Sequence, residues 1–221
     1  MSRYNKIMQR IAAGECILID GATGTEAERR GIPQLYNAWN GGGALSHPDI
    51  VRQVHLEYLQ AGAEMIISNS FATHLHALEA AGEGARFEAY NRRAVELAVE
   101  ARAEAGREDA LVAAGVSYWS WRGDMPTADS MREATRRQLS IMAESGADII
   151  LLEMMIDLAI SRQCWRLHRG LACQSGPALP LDARQMGIFA CERAIHWHRR
   201  WSWQRKAESN CSTSCIPRSS L

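Results

Sequence analysis

Long apolar runs, net charge and early cysteines are all scarce in this 221-residue chain, and each scarcity removes a class of function. No apolar stretch approaches membrane-spanning length, so no membrane role is expected. Met1 to Gly14 is polar and basic, without the apolar core of a secretory signal, so the expected location is cytoplasmic. Lys and Arg total 25, as do Asp and Glu. A formal charge of zero leaves no whole-chain electrostatic case for nucleic acid. Neither G-x-G-x-x-G nor G-x-x-x-x-G-K-[ST] follows any apolar run, which removes the commonest nucleotide-binding signatures. Only Cys16 lies among the first 162 residues, and a disulfide framework is not expected in a cytoplasmic chain.

What is present is a repeated alternation. Residues 2–13 have helical spacing and end at Gly14, a C-cap residue. Ile17 to Ile19 form a short apolar run that meets Asp20-Gly-Ala-Thr-Gly-Thr with no spacer. Ser46-His-Pro-Asp49 reads as a helix start with Ser46 as N-cap, and Gly62 closes that helix. Met65 to Phe71 is a second strand that ends in polar residues. A long helical region from Leu75 to Ala105 is interrupted near Gly82 to Gly84. Leu111 to Ser117 is a third strand. Ser130-x-x-Glu133 matches a capping box for a helix to Glu144, and Asp148 to Met154 is a fourth strand, after which Asp157 reads as an N-cap. Nearly continuous apolar strands are buried on both faces, so the pattern predicts an α/β protein with a parallel sheet and helical crossovers. Four β/α units fit either an open doubly wound sheet or half of a (β/α)8 barrel.

In both architectures ligands bind at the carboxyl ends of strands. Those ends carry Asp20 with Gly21, Asn69 with Ser70, Ser117, and Glu153. Two carboxylates and an amide make an acceptor-rich rim suited to an ammonium group or a metal. Gly21 and Gly24 would let a ligand approach the backbone. The plainer readings are an Asp-Gly turn at residue 20, a turn at Asn69, and a structural acid at Glu153 satisfied by backbone N–H groups.

Five collinear segments carry a family resemblance: Asp20-Gly-Ala-Thr-Gly-Thr-Glu26, His47-Pro-Asp-Ile-Val51, Ala61-Gly-Ala-Glu-Met-Ile-Ile-Ser-Asn-Ser-Phe-Ala72, Asn91-Arg-Arg-Ala-Val95 and Gly146-Ala-Asp-Ile-Ile-Leu-Leu-Glu153. Over roughly residues 15–160 the chain resembles the homocysteine S-methyltransferases, the zinc-dependent (β/α)8 enzymes that include betaine–homocysteine methyltransferase and the homocysteine domain of methionine synthase. The resemblance implies a partial TIM barrel and methyl transfer from a small donor to the sulfur of homocysteine, giving methionine. It implies that Asp20 and Glu153 hold the amino-acid end of homocysteine, that the backbone at Gly21 approaches it, and that Asn69 lines the pocket. It also implies a zinc held by three cysteines, with the substrate thiolate as fourth ligand. The family's cysteine contexts, Gly-x-Asn-Cys and Gly-Gly-Cys-Cys, are absent from these 221 residues, and Cys16 precedes its strand. This chain is therefore expected to bind no zinc, to assign no metal or catalytic residue, and to have lost activity. The alternative is an inactive remnant that only binds an amino acid or associates with another chain. An open half-barrel also predicts self-association through its exposed edges.

The text changes after residue 162. Residues 1–162 hold 16 basic and 22 acidic side chains, whereas residues 163–221 hold 9 and 3, together with five of the six cysteines and four of the seven tryptophans. Where a fifth strand is due, the sequence reads Arg166-Leu-His-Arg-Gly-Leu-Ala-Cys-Gln-Ser-Gly-Pro-Ala-Leu-Pro180. Regrouping permitted codons over Leu171 to Leu179 yields Gly-Leu-Pro-Val-Trp-Ala-Gly-Leu, a credible buried strand. The expected organisation is thus a barrel half over 1–162 and an out-of-frame or disordered tail over 163–221. Within that tail, His196-Trp-His198 and Cys211-Ser-Thr-Ser-Cys215 lack zinc-finger spacing, and Arg199 to Lys206 mixes basic and aromatic residues.

Overall fold

The computed structural model describes residues 2–118 and 126–154. The helix expected after Asp157, the fifth-strand segment and every feature of the 163–221 tail lie outside the described residues. Among the described residues three strands, β1 (Met65–Ile67), β2 (Leu111–Val116) and β3 (Ile149–Leu152), form a parallel sheet in the order β1-β2-β3. Ile19 adds a one-residue parallel bridge to Met65, on the β1 edge. Chain order and spatial order therefore agree through four segments. No reversal of strand order, the mark of a doubly wound sheet, occurs among the described residues.

The helices are α1 (Arg3–Ala12), α2 (Thr23–Arg29), α3 (Gly43–Ser46), α4 (Pro48–Gln60), α5 (Leu75–Ala80), α6 (Phe87–Glu104) and α7 (Ala128–Glu144). Gly14 and Gly62, read as helix stops, have positive φ just past helix ends, and so do Gly82, Gly106 and Gly146. The interruption expected near residues 82–84 is the gap between α5 and α6.

Alternation along β2 divides the core. Val112, Ala114 and Val116 face a cluster built from Leu56 and Leu59 of α4, Val95 and Ala98 of α6, and Leu139 and Met142 of α7. Gly115 consequently looks to the opposite face. Ala94, Ala98 and Ala101 are fully buried along α6, and their small size lets that helix lie close to its neighbours. Removing a side chain such as Leu59 from this layer would cost roughly 2–5 kcal/mol.

Three expectations are corrected. Ile17 to Ile19 is not buried on both faces: Leu18 is 60% and Ile19 54% exposed. Burial of a strand depends on a neighbour on each side, and among the described residues this segment has one only on the β1 side. Ser46 does not cap α4. It ends α3, its hydroxyl donating to the Gly42 carbonyl, and His47 takes the N-cap position with Pro48 at N1. Ser130 does not cap α7 either. Thr127 does, its hydroxyl accepting from the Ser130 N–H at 3.3 Å, and Glu133 pairs instead with Arg136. No described helix is long and apolar enough to cross a membrane.

Candidate functional site

The carboxyl ends of the strands open into a cavity of about 360 Å³. Gly21 to Gly24 form one wall, Trp39 and Gly41 a second, Ile67 to Asn69 with Phe71 and Ala72 a third, and Glu153 with Met154 the last. Gly21, Asn69 and Glu153 line it. Asp20 lies immediately behind, 7% exposed, at the end of the bridged segment.

The two acids are held differently. Asp20 Oδ2 accepts the Ile67 N–H at 2.7 Å, with the Thr23 hydroxyl at 3.5 Å. Its other oxygen, Oδ1, is buried and has no hydrogen-bond partner among the described residues. Burial dominates, and the Asp20 carboxyl is pushed up to about 7 despite those donors. Glu153 is half-buried. Burial first, and the nearby Asp20 charge second, push it up to about 7 as well. Backbone N–H satisfaction was the plainer reading for Glu153, yet it is Asp20 that receives such a bond. Among the described residues no cation meets this pair of carboxylates, and an ammonium group would relieve both.

Gly115 makes this arrangement sterically feasible. A Cβ there would stand 2.5 Å from Glu153 Oε2 and 3.1 Å from the Ile67 side chain. The Glu153 carboxylate thus lies over bare β2 backbone, on the sheet face turned away from the helices. Gly24 serves the opposite wall in the same way, since a Cβ there would meet the Trp39 ring at 2.8 Å.

Asn69 is positioned rather than free. Its amide donates to the Asn40 carbonyl at 2.9 Å, tying the β1 end to the Trp39–Gly42 segment. Trp39 has φ 44° and ψ −131°, a conformation that costs about 1–3 kcal/mol and persists only when its surroundings fix it. Its carbonyl accepts from the Leu35 N–H at 2.7 Å, and its ring stands edge-on to Phe71 at 6.5 Å.

Two residues expected at the rim are not in it. The Ser70 hydroxyl donates to the Gly115 carbonyl at 2.8 Å beneath the cavity, and Ser117 is fully buried. Neither lines the cavity. Trp39, Phe71, Gly115 and Met154 were not anticipated. Phe71 and Met154 close segments already read as strand ends, so reading one residue further would have found them. Trp39 and Gly115 had no signal of period or spacing.

The described residues do not fit the zinc that the resemblance implies. No group of three His, Cys, Asp or Glu side chains among them could hold a metal, and Cys16 is free and exposed.

Fold and cavity together define a class: parallel α/β proteins with an acid-lined cavity at the carboxyl ends of consecutive strands. Comparison with known proteins narrows this. The family model described as homocysteine S-methyltransferase matches residues 17–181, crossing the compositional break at 162. The selenocysteine Se-methyltransferase of Brassica oleracea var. italica is 33% identical over 165 residues, covering 63% of this chain and 48% of that protein. Homocysteine S-methyltransferase 4 of Zea mays is 34% identical over 163 residues, covering 64% and 48%. The metallated form of the homocysteine methyltransferase MmuM from Escherichia coli superposes with a TM-score of 0.62 at 26% identity, covering 77% of this chain and 63% of that one. The chain belongs to the homocysteine S-methyltransferase family, and it spans about half the length of the curated relatives it matches.

Proposed function

We propose that this chain is the amino-acid-holding half of a homocysteine S-methyltransferase, four β/α units of a (β/α)8 barrel. The strand order and the position of the cavity support the barrel reading. Asp20 and Glu153 take the ammonium of homocysteine between them, Gly21 offers backbone to its carboxylate end, and Asn69 closes the side. The carrying observation is the Asp20 Oδ1, buried and without a partner among the described residues, beside a second carboxylate, with burial pushing both acids up to about 7. The full reaction of the family moves a methyl group from a small donor to the homocysteine thiolate, and the substrates proposed here are those two. No step is routed through zinc, because the described side chains do not fit it.

A second reading is favoured by one observation: the only cysteine before residue 162, Cys16, lies four residues before Asp20 and outside the cavity, and no family cysteine context occurs in these 221 residues. On that reading the chain binds an amino acid and transfers nothing, and residues 163–221 are an out-of-frame segment. An unbroken reading frame across codons 158–170 in close relatives, encoding the same text, would overturn the frame-shift element.

Calorimetry with L-homocysteine, with and without zinc, tests the site. Binding is expected without zinc, with proton release near pH 7 as the ammonium lowers both acids, and it should disappear in Asp20→Ala and Glu153→Ala. Absence of binding, or binding indifferent to both substitutions, sinks the site assignment. Methionine formation from homocysteine, a methyl donor and zinc would sink the remnant reading.

A further inference from the structure

Behind the cavity wall lies a buried polar chain that reaches from α7 to the strand ends. Its centre is Asn91 on α6, fully buried. The Asn91 amide donates to the Thr73 carbonyl at 3.0 Å and the Phe87 carbonyl at 2.8 Å. Its Oδ1 accepts from the Thr73 hydroxyl at 2.8 Å and from the Gln138 amide at 2.9 Å. Both donors and both acceptor positions of the side chain are therefore used. The Thr73 hydroxyl also faces the Ser70 carbonyl at 2.9 Å, sharing its one proton.

The other side of Thr73 faces the cavity wall. Its methyl carbon would lie 2.7 Å from a Cβ at Gly41, so Thr73 packs directly on that glycine backbone. Gly41 follows Asn40, whose carbonyl holds Asn69, and the strained Trp39. A strained segment keeps its geometry only while its neighbours fix it. The Trp39–Gly42 segment rests on Thr73 and Asn69, and Thr73 is fixed on two sides by Asn91. Asn91 also opens one of the five segments that carry the family resemblance, and it has no contact with the cavity itself.

We propose that Asn91 is a positioning residue for the cavity: acting through Thr73, it sets where the Trp39–Gly42 wall stands relative to Asn69 and the acid pair. The competing reading is a satisfied core amide whose loss lowers stability and nothing else.

Fluorine NMR of the full chain labelled with 5-fluorotryptophan tests this without any ligand, the Trp39 resonance being assigned by its loss in Trp39→Phe. Asn91→Ala and Thr73→Val are both expected to shift or broaden the Trp39 signal. Leu59→Ala, which weakens the core without touching this chain of bonds, is expected to leave it in place. Should Asn91→Ala fail to fold, Thr73→Val alone decides, since it keeps the methyl against Gly41 and replaces the hydroxyl by a second methyl of similar size. A Trp39 resonance unmoved in either folded variant, or moved equally by Leu59→Ala, overturns the proposal. A second arm rests on the amino-acid reading above: homocysteine affinity should fall about tenfold in Asn91→Ala and stay unchanged in Leu59→Ala, measured well below the unfolding temperature. Equal affinity loss in both variants, or none in Asn91→Ala, also overturns it. If the wild-type chain binds no homocysteine, the amino-acid reading fails by itself and the fluorine signal still decides the role of Asn91.

Discussion

The two ends of the strands treat acids in opposite ways. At the amino-terminal end Asp148 receives Arg102, Arg3 and the Val112 N–H, and Glu64 receives Arg10 and the Leu18 N–H. At the carboxyl end, among the described residues, Asp20 and Glu153 have no arginine or lysine partner, and one buried oxygen of Asp20 has no hydrogen-bond partner. Residue type does not separate the two sets; partners do. One end satisfies its acids with its own side chains; the other, on the function proposed above, has its acids met by the ammonium of the substrate.

The sharpest way to break this contrast is at the stable end. Arg102→Ala removes the more buried of the two arginines on Asp148, leaving Arg3 and the Val112 N–H, and should cost about 3 kcal/mol in urea unfolding. Asp20→Asn should do the reverse. An acid whose folded value is raised to about 7 contributes stability below the unfolded value near 4, and that contribution is lost as pH rises through 7. The variant should therefore be more stable than wild type by about 3 kcal/mol at pH 7, the gain vanishing near pH 4, while homocysteine binding is lost. A variant no more stable at pH 7 would mean that a cation from elsewhere already meets Asp20.

His55 sharpens the comparison from the core. It is fully buried with neither ring nitrogen partnered among the described residues, and burial pushes it down to about 4. A lowered base contributes stability above its unfolded value near 6.5 and loses it as pH falls toward 4. His55→Leu should accordingly gain about 2 kcal/mol over wild type between pH 7 and pH 5, read from paired unfolding curves. The smallest effect is expected at Gly115. Gly115→Ala should cost about 1 kcal/mol of stability, because the half-buried Glu153 carboxylate can move off the new methyl. Its affinity for homocysteine should fall more visibly than its stability.

Much of the architecture was legible because it depends on local chemistry. Continuous apolar runs marked β1, β2 and β3, and glycines marked the helix ends where a positive φ is required. Asp20, Gly21, Asn69 and Glu153 stood out because polar groups directly after apolar strands are costly without a purpose. The misreadings share a cause. Ser46 and Ser130 are good capping residues, but His47-Pro48 and Thr127 were better placed by the surrounding chain, and a cap is a competition between neighbours. The exposure of Leu18 and Ile19 depends on what lies beside the segment in space, which a run of letters does not encode. Trp39 and Gly115 matter through close approaches between segments far apart in the chain.

The amino-terminal helix has a geometric consequence. Arg3 reaches Glu108 and Asp148, just before β2 and β3, while Arg10 reaches Glu64, just before β1. Seven residues of α-helix advance about 10.5 Å and return to nearly the same face. Two steps between neighbouring strands measure about 9.5 Å. Helix α1 thus acts as a ruler laid across the strand starts, its two arginines gauging the width of the sheet. Lengthening α1 by one residue between them would turn Arg10 away by about 100° and leave the strand beginnings without their common measure.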